Sequence, residues 1–368
     1  MCLAIGEKMN KIKILIVGSD SSVKGGITSV IKRFLDYDFK NVEISLLPTY
    51  IEENSVKKIN FFAKSIINYL KKIKNNEFDI AHLHMSYKGS FFRKLIIIIL
   101  SKLFNKKIIL HLHGSEFEVF YKKSNRVLKS MIKFAFRASD KVIVLGKNWE
   151  EIIKRIEPRA DVSIFTNAVD IPEYKAKLNN NKFNILFLGV LIKRKGIYDL
   201  IDAIKILKDN GTISKFNLSF IIGGSGVEEA QIKSIINTYN LNTCINMVGW
   251  VDGTLKEKLL KESQLFVLPS YNEGLPMAIL EAMSYGIPII STNVGSIDEV
   301  VINDETGYLV SAGDKYMLSD AITKSINDIS VWKKMSDNAK MKIENEFNEK
   351  NYFYSIEKLY CDLLSRDL

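Results

Sequence analysis

The sequence predicts an α/β protein with two similar, doubly wound domains, each built around a parallel sheet. Three observations favour this fold. Short and almost continuously apolar stretches alternate with helical stretches, which is typical of strands buried on both faces of a sheet. The alternation stops in a polar, asparagine-rich stretch near residue 180 and then starts again. A length of 368 residues also suits two domains.

The first domain is predicted to span residues 1–171 and to contain four strands. These strands are "KIKILIVG" (Lys11–Gly18), "FDIAHLHM" (Phe78–Met85), "KKIILHLHG" (Lys106–Gly114) and "DKVIVLG" (Asp140–Gly146). Helical stretches lie between them. Because ligands of such sheets bind at the carboxyl ends of the strands, the residues that follow each strand are candidates for a site.

A linker is predicted at residues 172–182, and a second domain at residues 183–347. Its five predicted strands are "FNILFLG" (Phe183–Gly189), "NLSFIIGG" (Asn217–Gly224), "TCINMVGW" (Thr243–Trp250), "QLFVLPS" (Gln264–Ser270) and "GIPIIST" (Gly286–Thr292). Residues 348–368 follow the last strand, and their amphipathic pattern predicts a C-terminal helix.

Cysteine is sparse, and Cys2, Cys244 and Cys361 form no close pair. This argues against a disulfide framework or a cysteine-based zinc site, and it fits a reducing cytosol. No secretory signal is apparent, and the longest apolar block, Leu95–Leu100, is too short to cross a bilayer. This block predicts either a buried helix, which we favour, or a helix that touches a membrane surface.

The excess positive charge lies in the first half of the chain. Residues 1–170 contain 30 Lys and Arg against 17 Asp and Glu, whereas the remaining residues contain 22 against 25. Such a half either faces anionic lipid, nucleic acid or an anionic substrate, or it is a solvated lysine-rich surface.

Two acids stand close together in "SYNEGLPMAILEAMSYGIPII" (Ser270–Ile290). Pro276 suits the start of a helix, so that Glu273 precedes this helix and Glu281 lies about one turn inside it. A carboxylate in this place repels phosphate but accepts hydrogen bonds from hydroxyl groups. The ordinary alternatives are a loop acid for Glu273 and a solvent-facing helix residue for Glu281.

The backbone amides of Gly274, Leu275 and Met277 are predicted to point out of this helix N-terminus, which suits a phosphate group. Gly274 also lets the backbone approach a ligand closely. The hypothesis is therefore that phosphates lie on the helix terminus while sugar hydroxyls lie on the two acids.

All four histidines belong to two H-x-H pairs at strand ends, His82 with His84 and His111 with His113. The two rings of a pair are expected on one face of the sheet. Four imidazoles could gather around zinc, but for His82, His84 and His111 we favour satisfied, partly buried rings.

The stretch Asn272–Thr292 resembles the E-x7-E segment of the family 4 retaining glycosyltransferases, which have the two-domain GT-B fold. Further similar segments follow in the order of that family and extend the resemblance over nearly the whole chain: "GSDSSVKGGITSVI" (Gly18–Ile31), "FNILFLGVLIKRKGIYDLIDAI" (Phe183–Ile204), "IIGGSG" (Ile221–Gly226), "MVGWV" (Met247–Val251) and "VGSIDEVVINDETGYLV" (Val294–Val310). The resemblance implies two Rossmann-like domains that face each other across a cleft. It also implies that the helix at residues 348–368 packs back toward the N-terminal domain.

The resemblance implies a donor site in the second domain. Glu281 would bind ribose hydroxyls, and Glu273 would contact hydroxyls of the transferred sugar. The amides of Gly274 and Leu275 would hold the diphosphate, which Lys195 would neutralise.

The chain departs from the family at Val190, where an arginine usually follows the glycine that ends the strand. Arg194 is therefore a candidate phosphate ligand, although a surface cation is an equally ordinary role for it. The residues from Gly249 to Val251 would lie against the base, and Pro276 would sit at the helix start beside the diphosphate.

In the first domain, the resemblance places Gly25 and Gly26 in a loop that faces the diphosphate or the acceptor, where a side chain would collide with the ligand. It places His113 near the hydroxyls of the reacting sugar or the acceptor. Glu273, His113 and Lys195 are the residues expected to take part in catalysis.

The sequence therefore leads us to expect a retaining glycosyltransferase that moves a sugar from a nucleoside-diphosphate sugar to a glycan or lipid-linked acceptor. We expect no cofactor and no divalent metal, because no metal-spaced aspartate pair flanks the diphosphate position, and we expect no nucleic-acid partner. The resemblance suggests bacterial surface-polysaccharide assembly, in the cytoplasm and in peripheral contact with the anionic inner face of the membrane.

Two other functions remain open at the level of sequence. A nucleotide-sugar epimerase shares the two-domain layout and also needs a diphosphate site. A glycosidase would use Glu273 and Glu281 as its carboxylate pair, but this role leaves the phosphate-suited helix terminus unexplained. The ordered segments favour sugar transfer over both.

Overall fold

The computed structural model describes residues 11–178 and 182–365, which form two compact units. The first unit comprises the chain up to Thr166 together with the residues from Lys350 onward, and the second comprises Asn167–Glu349. Each unit contains a six-stranded sheet in which neighbouring strands are parallel. The prediction of two doubly wound α/β domains is confirmed.

The strands of the first unit are β1 (Ile12–Ser19), β2 (Val42–Tyr50), β3 (Ile80–Met85), β4 (Lys107–Leu112), β5 (Lys141–Val144) and β6 (Val162–Ile164). They lie in the order β2-β1-β3-β4-β5-β6. The helices that accompany them are α1 (Gly26–Asp36), α2 (Ser55–Lys74), α3 (Gly89–Leu103), α4 (Phe117–Lys123), α5 (Arg126–Ala138) and α6 (Lys147–Ile156).

Differences in burial explain why some strands of the first unit are predicted from the sequence and others are not. Every residue of the central strand β3 is buried, so its sequence is almost continuously apolar. The sequence analysis missed β2 and β6, the two edge strands. Strand β2 is half-exposed and contains Pro48, which is tolerated at a sheet edge, and β6 has only three residues.

The apolar block Leu95–Leu100 lies in α3 and is buried on one face only. Leu95, Ile97 and Ile98 belong to the core, whereas Ile96 and Ile99 are 42% and 41% exposed. The favoured prediction of a buried helix therefore holds for half of this block.

The second unit contains the strands β7 (Phe183–Leu188), β8 (Leu218–Gly223), β9 (Ile245–Gly249), β10 (Leu265–Leu268), β11 (Ile289–Thr292) and β12 (Gly307–Val310). They lie in the order β12-β11-β10-β7-β8-β9. Its helices are α7 (Ile197–Asp209), α8 (Thr212–Phe216), α9 (Glu229–Thr238), α10 (Gly253–Glu262), α11 (Met277–Ser284), α12 (Lys315–Asn327) and α13 (Ile329–Glu346). The five predicted strands correspond to β7 through β11.

The predicted linker differs from what the structure shows. Residues 172–178 belong to the second unit, where the amide of Ala176 donates to Tyr285 O at 2.7 Å and Lys340 donates to Pro172 O at 3.0 Å. The segment is polar because it lies on the surface of the second unit, which starts at Asn167 rather than at residue 183. Residues 179–181, the rest of the asparagine run, lie outside the described part of the chain.

The C-terminal helix, α14 (Glu349–Ser365), packs on the first unit, as predicted. Phe353, Ile356 and Tyr360 are buried on its inner face. The ring of Phe353 meets the edge of Phe34 of α1 at a centroid distance of 5.0 Å. None of the helices formed by residues 11–178 and 182–365 has the length and apolar character that crossing a membrane would require.

Candidate functional site

The two acids of the E-x7-E stretch are buried beside the start of α11. Glu273 lies in the loop between β10 and α11, Glu281 lies within α11, and each is 7% exposed. Pro276 precedes the first helical residue, one position earlier than the sequence suggested. A buried carboxylate is stable only with partners, so the groups around each acid define the site.

Glu273 is paired with Lys195. The Lys195 ammonium donates to Oε1 of Glu273 at 2.5 Å, and the hydroxyl of Ser270 donates to the same oxygen at 2.7 Å. Both partners of the ion pair are largely buried, so solvent screens their attraction little. The sequence predicts that Lys195 lies at the diphosphate, but it does not predict the ion pair of Lys195 with Glu273.

A glycine allows Lys195 to reach this position. Lys195 ends a short 3-10 turn, Lys193–Lys195, and Gly196 follows it with a φ of 70°. A Cβ at Gly196 would overlap the carbonyl group of Pro269, at the end of β10. Only glycine therefore lets the turn lie directly against the loop that carries Glu273.

Arg194 is anchored to the same loop. Its guanidinium donates to Asn272 O at 2.5 Å, and its own carbonyl accepts from the amide of Tyr271 at 2.8 Å. Backbone atoms therefore hold the Arg194 side chain beside Glu273. Val190 is partly exposed and carries no charge at the position where the family usually has an arginine.

Glu281 is paired with a residue that the sequence analysis missed. Lys256, in the first turns of α10, donates to Oε1 of Glu281 at 2.8 Å. The two residues are 25 positions apart on different helices, and no sequence spacing signals their contact. The second acid is thus also held by a lysine.

Three further residues fix the loop before α11. Gly295 has a φ of 67°, and a Cβ there would overlap the carbonyls of Glu273 and Gly274. The amide of Ser296 donates to Gly274 O at 2.9 Å, and the Asn167 side chain donates to Leu275 O at 2.7 Å. These contacts use carbonyl oxygens and not the amides of Gly274 and Leu275 before the helix, whereas the amide of Ile279 in its first turn already donates to Pro276 O at 3.1 Å.

The remaining predicted residues of the second unit lie at the end of β9. Gly249 has a φ of 74°, and a Cβ there would touch no atom within 4 Å. Val251 is half-exposed and packs against Gly223, where a Cβ would meet its Cγ2 at 2.7 Å. This close approach explains why glycine ends β8.

The glycine loop of the first unit precedes α1. Gly25 caps the helix with a φ of 148°, and Gly26 is its first residue. A Cβ at either position would meet no atom within 4 Å. The protein itself therefore leaves the space in front of both glycines open.

The four histidine rings of the first unit form one cluster. His84 lies directly opposite His111 on paired strands, and the rings of His84 and His113 stack at a centroid distance of 5.1 Å. His82, His84 and His111 are almost completely buried, and His113 is half-exposed. His82 has partners for both ring nitrogens, whereas the described residues provide none for Nε2 of His84 or Nε2 of His111. The expectation of satisfied rings therefore stays a prediction for His84 and His111.

One ring nitrogen of each of His82, His84 and His111 lies within 4.8 Å of the others, which raises the question of a metal. The ring planes of His82 and His84 differ by 15°, and those of His82 and His111 by 21°. Imidazoles bind a metal through lone pairs in the ring plane, and nearly parallel planes about 5 Å apart do not bring these lone pairs to one point. The stacking thus disfavours a shared metal.

Residues 170–342 match the family model described as "Glycosyl transferases group 1". A curated relative from Escherichia coli, named UDP-Gal:alpha-D-GlcNAc-diphosphoundecaprenol alpha-1,3-galactosyltransferase, is 29% identical over 347 residues, which cover 89% of this chain and 86% of the relative.

Solved structures share the two-sheet architecture. The sucrose-phosphate synthase of Thermosynechococcus elongatus matches with a TM-score of 0.80 at 17% identity, covering 97% of this chain and all of that chain. HepE of Anabaena, solved with UDP and glucose, matches with a TM-score of 0.73 at 16% identity, covering 95% of this chain and 99% of that one. The chain is a glycosyltransferase with the GT-B fold, and the match to the glycosyl transferases group 1 model lies within its second unit.

Proposed function

We propose that this glycosyltransferase is a retaining enzyme that transfers a sugar from a nucleoside-diphosphate sugar to a lipid-linked glycan acceptor. The observation that carries the proposal is the pair of buried acids, Glu273 and Glu281, each held by a lysine beside the start of α11. A helix N-terminus between two carboxylates suits a ligand that combines phosphates with hydroxyl groups.

Each group of this site has a part in the proposed reaction. Glu281 accepts hydrogen bonds from the ribose, and Glu273 accepts them from the transferred sugar. The amides of Gly274 and Leu275, together with Lys195, stabilise the negative charge that grows on the leaving diphosphate, which is commonly the largest contribution to catalysis. Lys195 is close enough to Glu273 to act on both the diphosphate and the sugar.

Retention is proposed from the resemblance of the E-x7-E segment to retaining enzymes. In the reaction that we favour, the diphosphate leaves and the acceptor attacks on the same face of the sugar within one ion pair. This course needs no covalent nucleophile from the protein, and Glu273 is instead held by Lys195 and Ser270.

The nature of the donor and acceptor is supported by the relatives. The name of the E. coli relative specifies a UDP-sugar donor and a diphosphoundecaprenol-linked acceptor, and HepE was solved with UDP. We therefore propose a uridine donor as the first choice for assays and a polyprenyl-diphosphate-linked sugar as the acceptor, in polysaccharide biosynthesis.

Such an acceptor lies in a membrane, and we propose that the first unit binds anionic lipid through α3 and α5. Two stripes of exposed apolar residues follow these helices, Phe92, Ile96, Ile99 and Leu103 on α3 and Val127, Met131 and Phe134 on α5. Basic residues accompany the second stripe on the same helix, namely Arg126, Lys129, Lys133 and Arg137. Apolar stripes with flanking cations suit the surface of an anionic bilayer.

The experiment that tests the proposal compares alanine variants of the two acids by calorimetry with UDP. Glu281→Ala should weaken UDP binding about tenfold to a hundredfold, since one charge-assisted hydrogen bond contributes roughly 1.5–3 kcal/mol. Glu273→Ala should leave UDP binding nearly unchanged and lower turnover, because its partner is the sugar at the breaking bond. Glu299→Ala, which changes an acid of the second unit outside the E-x7-E stretch, serves as the control.

Two outcomes would count against this proposal. If Glu273→Ala abolishes UDP binding while Glu281→Ala does not, the roles of the acids are reversed. If neither variant changes binding or turnover, the stretch is only a helix start. An epimerase is the second candidate, and product formation from the nucleotide sugar without any acceptor would favour it.

A further inference from the structure

The buried histidines of the first unit are joined by hydrogen bonds into two segments. In the first segment, Tyr360 Oη lies 2.7 Å from Nδ1 of His82, and Nε2 of His82 lies 3.2 Å from Nδ1 of His111. In the second segment, Nδ1 of His84 lies 2.9 Å from Nε2 of His113. All these groups lie within the first unit, where Tyr360 comes from α14.

All four rings are neutral near pH 7. Burial lowers the pKa of His82 and of His113 to about 3, and burial together with neighbouring charged or imidazole groups holds the pKa of His84 and of His111 well below the usual value. Among the neighbours, the buried Lys94 acts on His84. A neutral imidazole has one N–H and one lone pair, so each hydrogen bond restricts the next.

The first segment has two self-consistent arrangements. If the Tyr360 hydroxyl donates to His82, then His82 donates to His111, and His111 carries its hydrogen on Nε2. If the bonds run the other way, the buried Tyr360 hydroxyl hydrogen has no acceptor, and Nε2 of His111 is an unused lone pair. The first arrangement leaves one group unpaired and the second leaves two, so the first has the lower free energy.

The unpaired nitrogens of the two segments lie next to each other. Nε2 of His84 and Nε2 of His111 are both buried without a partner, and the two residues are directly paired between β3 and β4. The ring planes of His84 and His111 are tilted by 34°, with centroids 5.0 Å apart. A water molecule that bridges two nitrogens at about 2.8 Å spans roughly 4.6 Å, which suits two rings at this separation. Such a water accepts from Nε2–H of His111 and donates to the lone pair of His84.

We propose that Tyr360 and the four histidines form one directional hydrogen-bond relay, closed by a single water between His111 and His84, that holds His113 as the Nδ1–H tautomer. With the water in place, Nδ1–H of His84 donates to Nε2 of His113. His113 then offers a hydrogen-bond donor, Nδ1–H, to an oxygen of the substrate. His82, His84, His111 and Tyr360 are positioning residues, because they act through His113.

The tautomer assignment stands independently of the proposed function, whereas its consequence for turnover rests on the role of His113 in that function. A neutral Nδ1–H donor orients a hydroxyl or binds a developing negative charge without transferring a proton. This differs from a general base, which would need a pKa near the working pH.

The tautomer of each histidine ring can be measured by NMR of the full-length protein labelled with 15N-histidine, without substrate. The chain has only four histidines, so the spectrum reports on no other residue. The expected result is Nδ1–H for His84 and His113 and Nε2–H for His82 and His111, with single-site variants assigning the signals. An Nε2–H tautomer at His113 would overturn the proposal, as would a protonated ring at pH 7.

A metal is the competing occupant of the cluster, and the same sample tests it. Titration with Zn²⁺ should leave the four tautomers unchanged. Stoichiometric zinc binding that shifts the signals of His82, His84 and His111 together would replace the relay by a metal site.

Variants connect the relay with turnover. His84→Leu should lower kcat at least tenfold and leave UDP affinity unchanged, while His84→Asn, whose amide still donates to His113, should recover part of kcat. Tyr360→Phe should mix the tautomers of His82 and His111, whereas Tyr352→Phe on the same helix should not. Equal kcat for His84→Leu and His84→Asn, with both folded, would contradict a positioning role.

The two proposals fail in distinguishable ways. If the tautomers are as expected but no sugar is transferred to any polyprenyl-diphosphate acceptor, the proposed function fails and the relay stands. If transfer occurs but His113 carries its hydrogen on Nε2, the relay fails and the proposed function stands.

Discussion

Nζ of Lys256 lies 2.8 Å from Oε1 of Glu281, and this ion pair joins α10 to α11 in the second unit. Glu281 is almost completely buried and Lys256 is partly exposed. The lysine therefore orients the Glu281 carboxylate from the solvent side.

Removing this lysine should weaken nucleotide binding. We expect Lys256→Met to lower the affinity for UDP about fivefold to thirtyfold, because a charge-assisted contact of roughly 1–2 kcal/mol that helps to orient the Glu281 carboxylate is lost. Lys256→Arg should recover most of the affinity. Lys258→Met on the same helix, where the side chain is largely exposed, is the control for calorimetry. Tighter UDP binding in Lys256→Met would mean that the lysine competes with the ribose.

The buried Lys94 should make the free energy of unfolding depend on pH. Burial, with a smaller contribution from Arg93, lowers the pKa of Lys94 to about 7, and its ammonium contacts Thr49 at 2.8 Å. Between about pH 7 and 10.5 the unfolded chain binds a proton that the folded chain does not, so stability from this group rises with pH across that window.

Lys94→Met removes the free-energy cost of burying the lysine side chain. At pH 7 we expect the variant to be more stable by about 2–4 kcal/mol, after allowing roughly 1 kcal/mol for the lost contact with Thr49, and the difference should shrink toward pH 9.5. Urea denaturation at several pH values measures this, with Lys64→Met, at an exposed position of α2, as the control. A less stable variant at pH 7 would show that Lys94 is paired in the folded protein.

The four histidines should make the first unit sensitive to acid. Their pKa values are lowered in the folded state, to about 3 for His82 and His113, so below about pH 6.5 the unfolded chain binds protons that the folded chain excludes. Stability is therefore lost as the pH falls from 6.5 toward 4, by up to about 1.4 kcal/mol per pH unit for each histidine. Hydrogen exchange of the β3 amides measures this loss. If the pH dependence of the free energy of unfolding corresponds to less than one proton bound on unfolding, the rings are not buried and neutral in the folded protein.

Activity should survive chelation. The site of the second unit offers an ammonium group and a helix N-terminus to the diphosphate, and the stacked histidines of the first unit are poorly arranged for a metal. We expect turnover in EDTA to equal turnover in Mg²⁺ within about twofold, an effect below 0.5 kcal/mol. Complete loss in EDTA, reversed by a divalent ion, would show that a metal shares the charge of the diphosphate.

Vesicle flotation should detect the proposed membrane surface. Binding to anionic vesicles should weaken with added salt, which screens exposed charges, and binding to neutral vesicles should be weak. Ile96→Glu with Ile99→Glu should reduce binding at least tenfold, whereas Val227→Glu, an exposed apolar position of the second unit, should not. Equal binding to neutral vesicles at high salt would exclude the electrostatic part of this proposal.

The amino-acid sequence alone predicts the two α/β domains and the position of the E-x7-E stretch at a helix start. Strands such as β3 and β10 are buried on both faces, so most of their consecutive residues are apolar and the strand can be recognised from the sequence. The edge strands β2 and β6 are partly exposed and lack that local signal, so the sequence does not predict them.

Contacts between side chains on different elements follow from the tertiary packing and not from the sequence pattern. The contacts of Lys195 with Glu273 and of Lys256 with Glu281 join segments 78 and 25 residues apart, and that of Tyr360 with His82 spans 278 residues. Local periodicity reports which face of an element is buried, but it carries no information about the partner on another element. The burial that lowers the pKa of Lys94 and the histidines likewise arises only when the elements pack, because desolvation depends on all the atoms around a group.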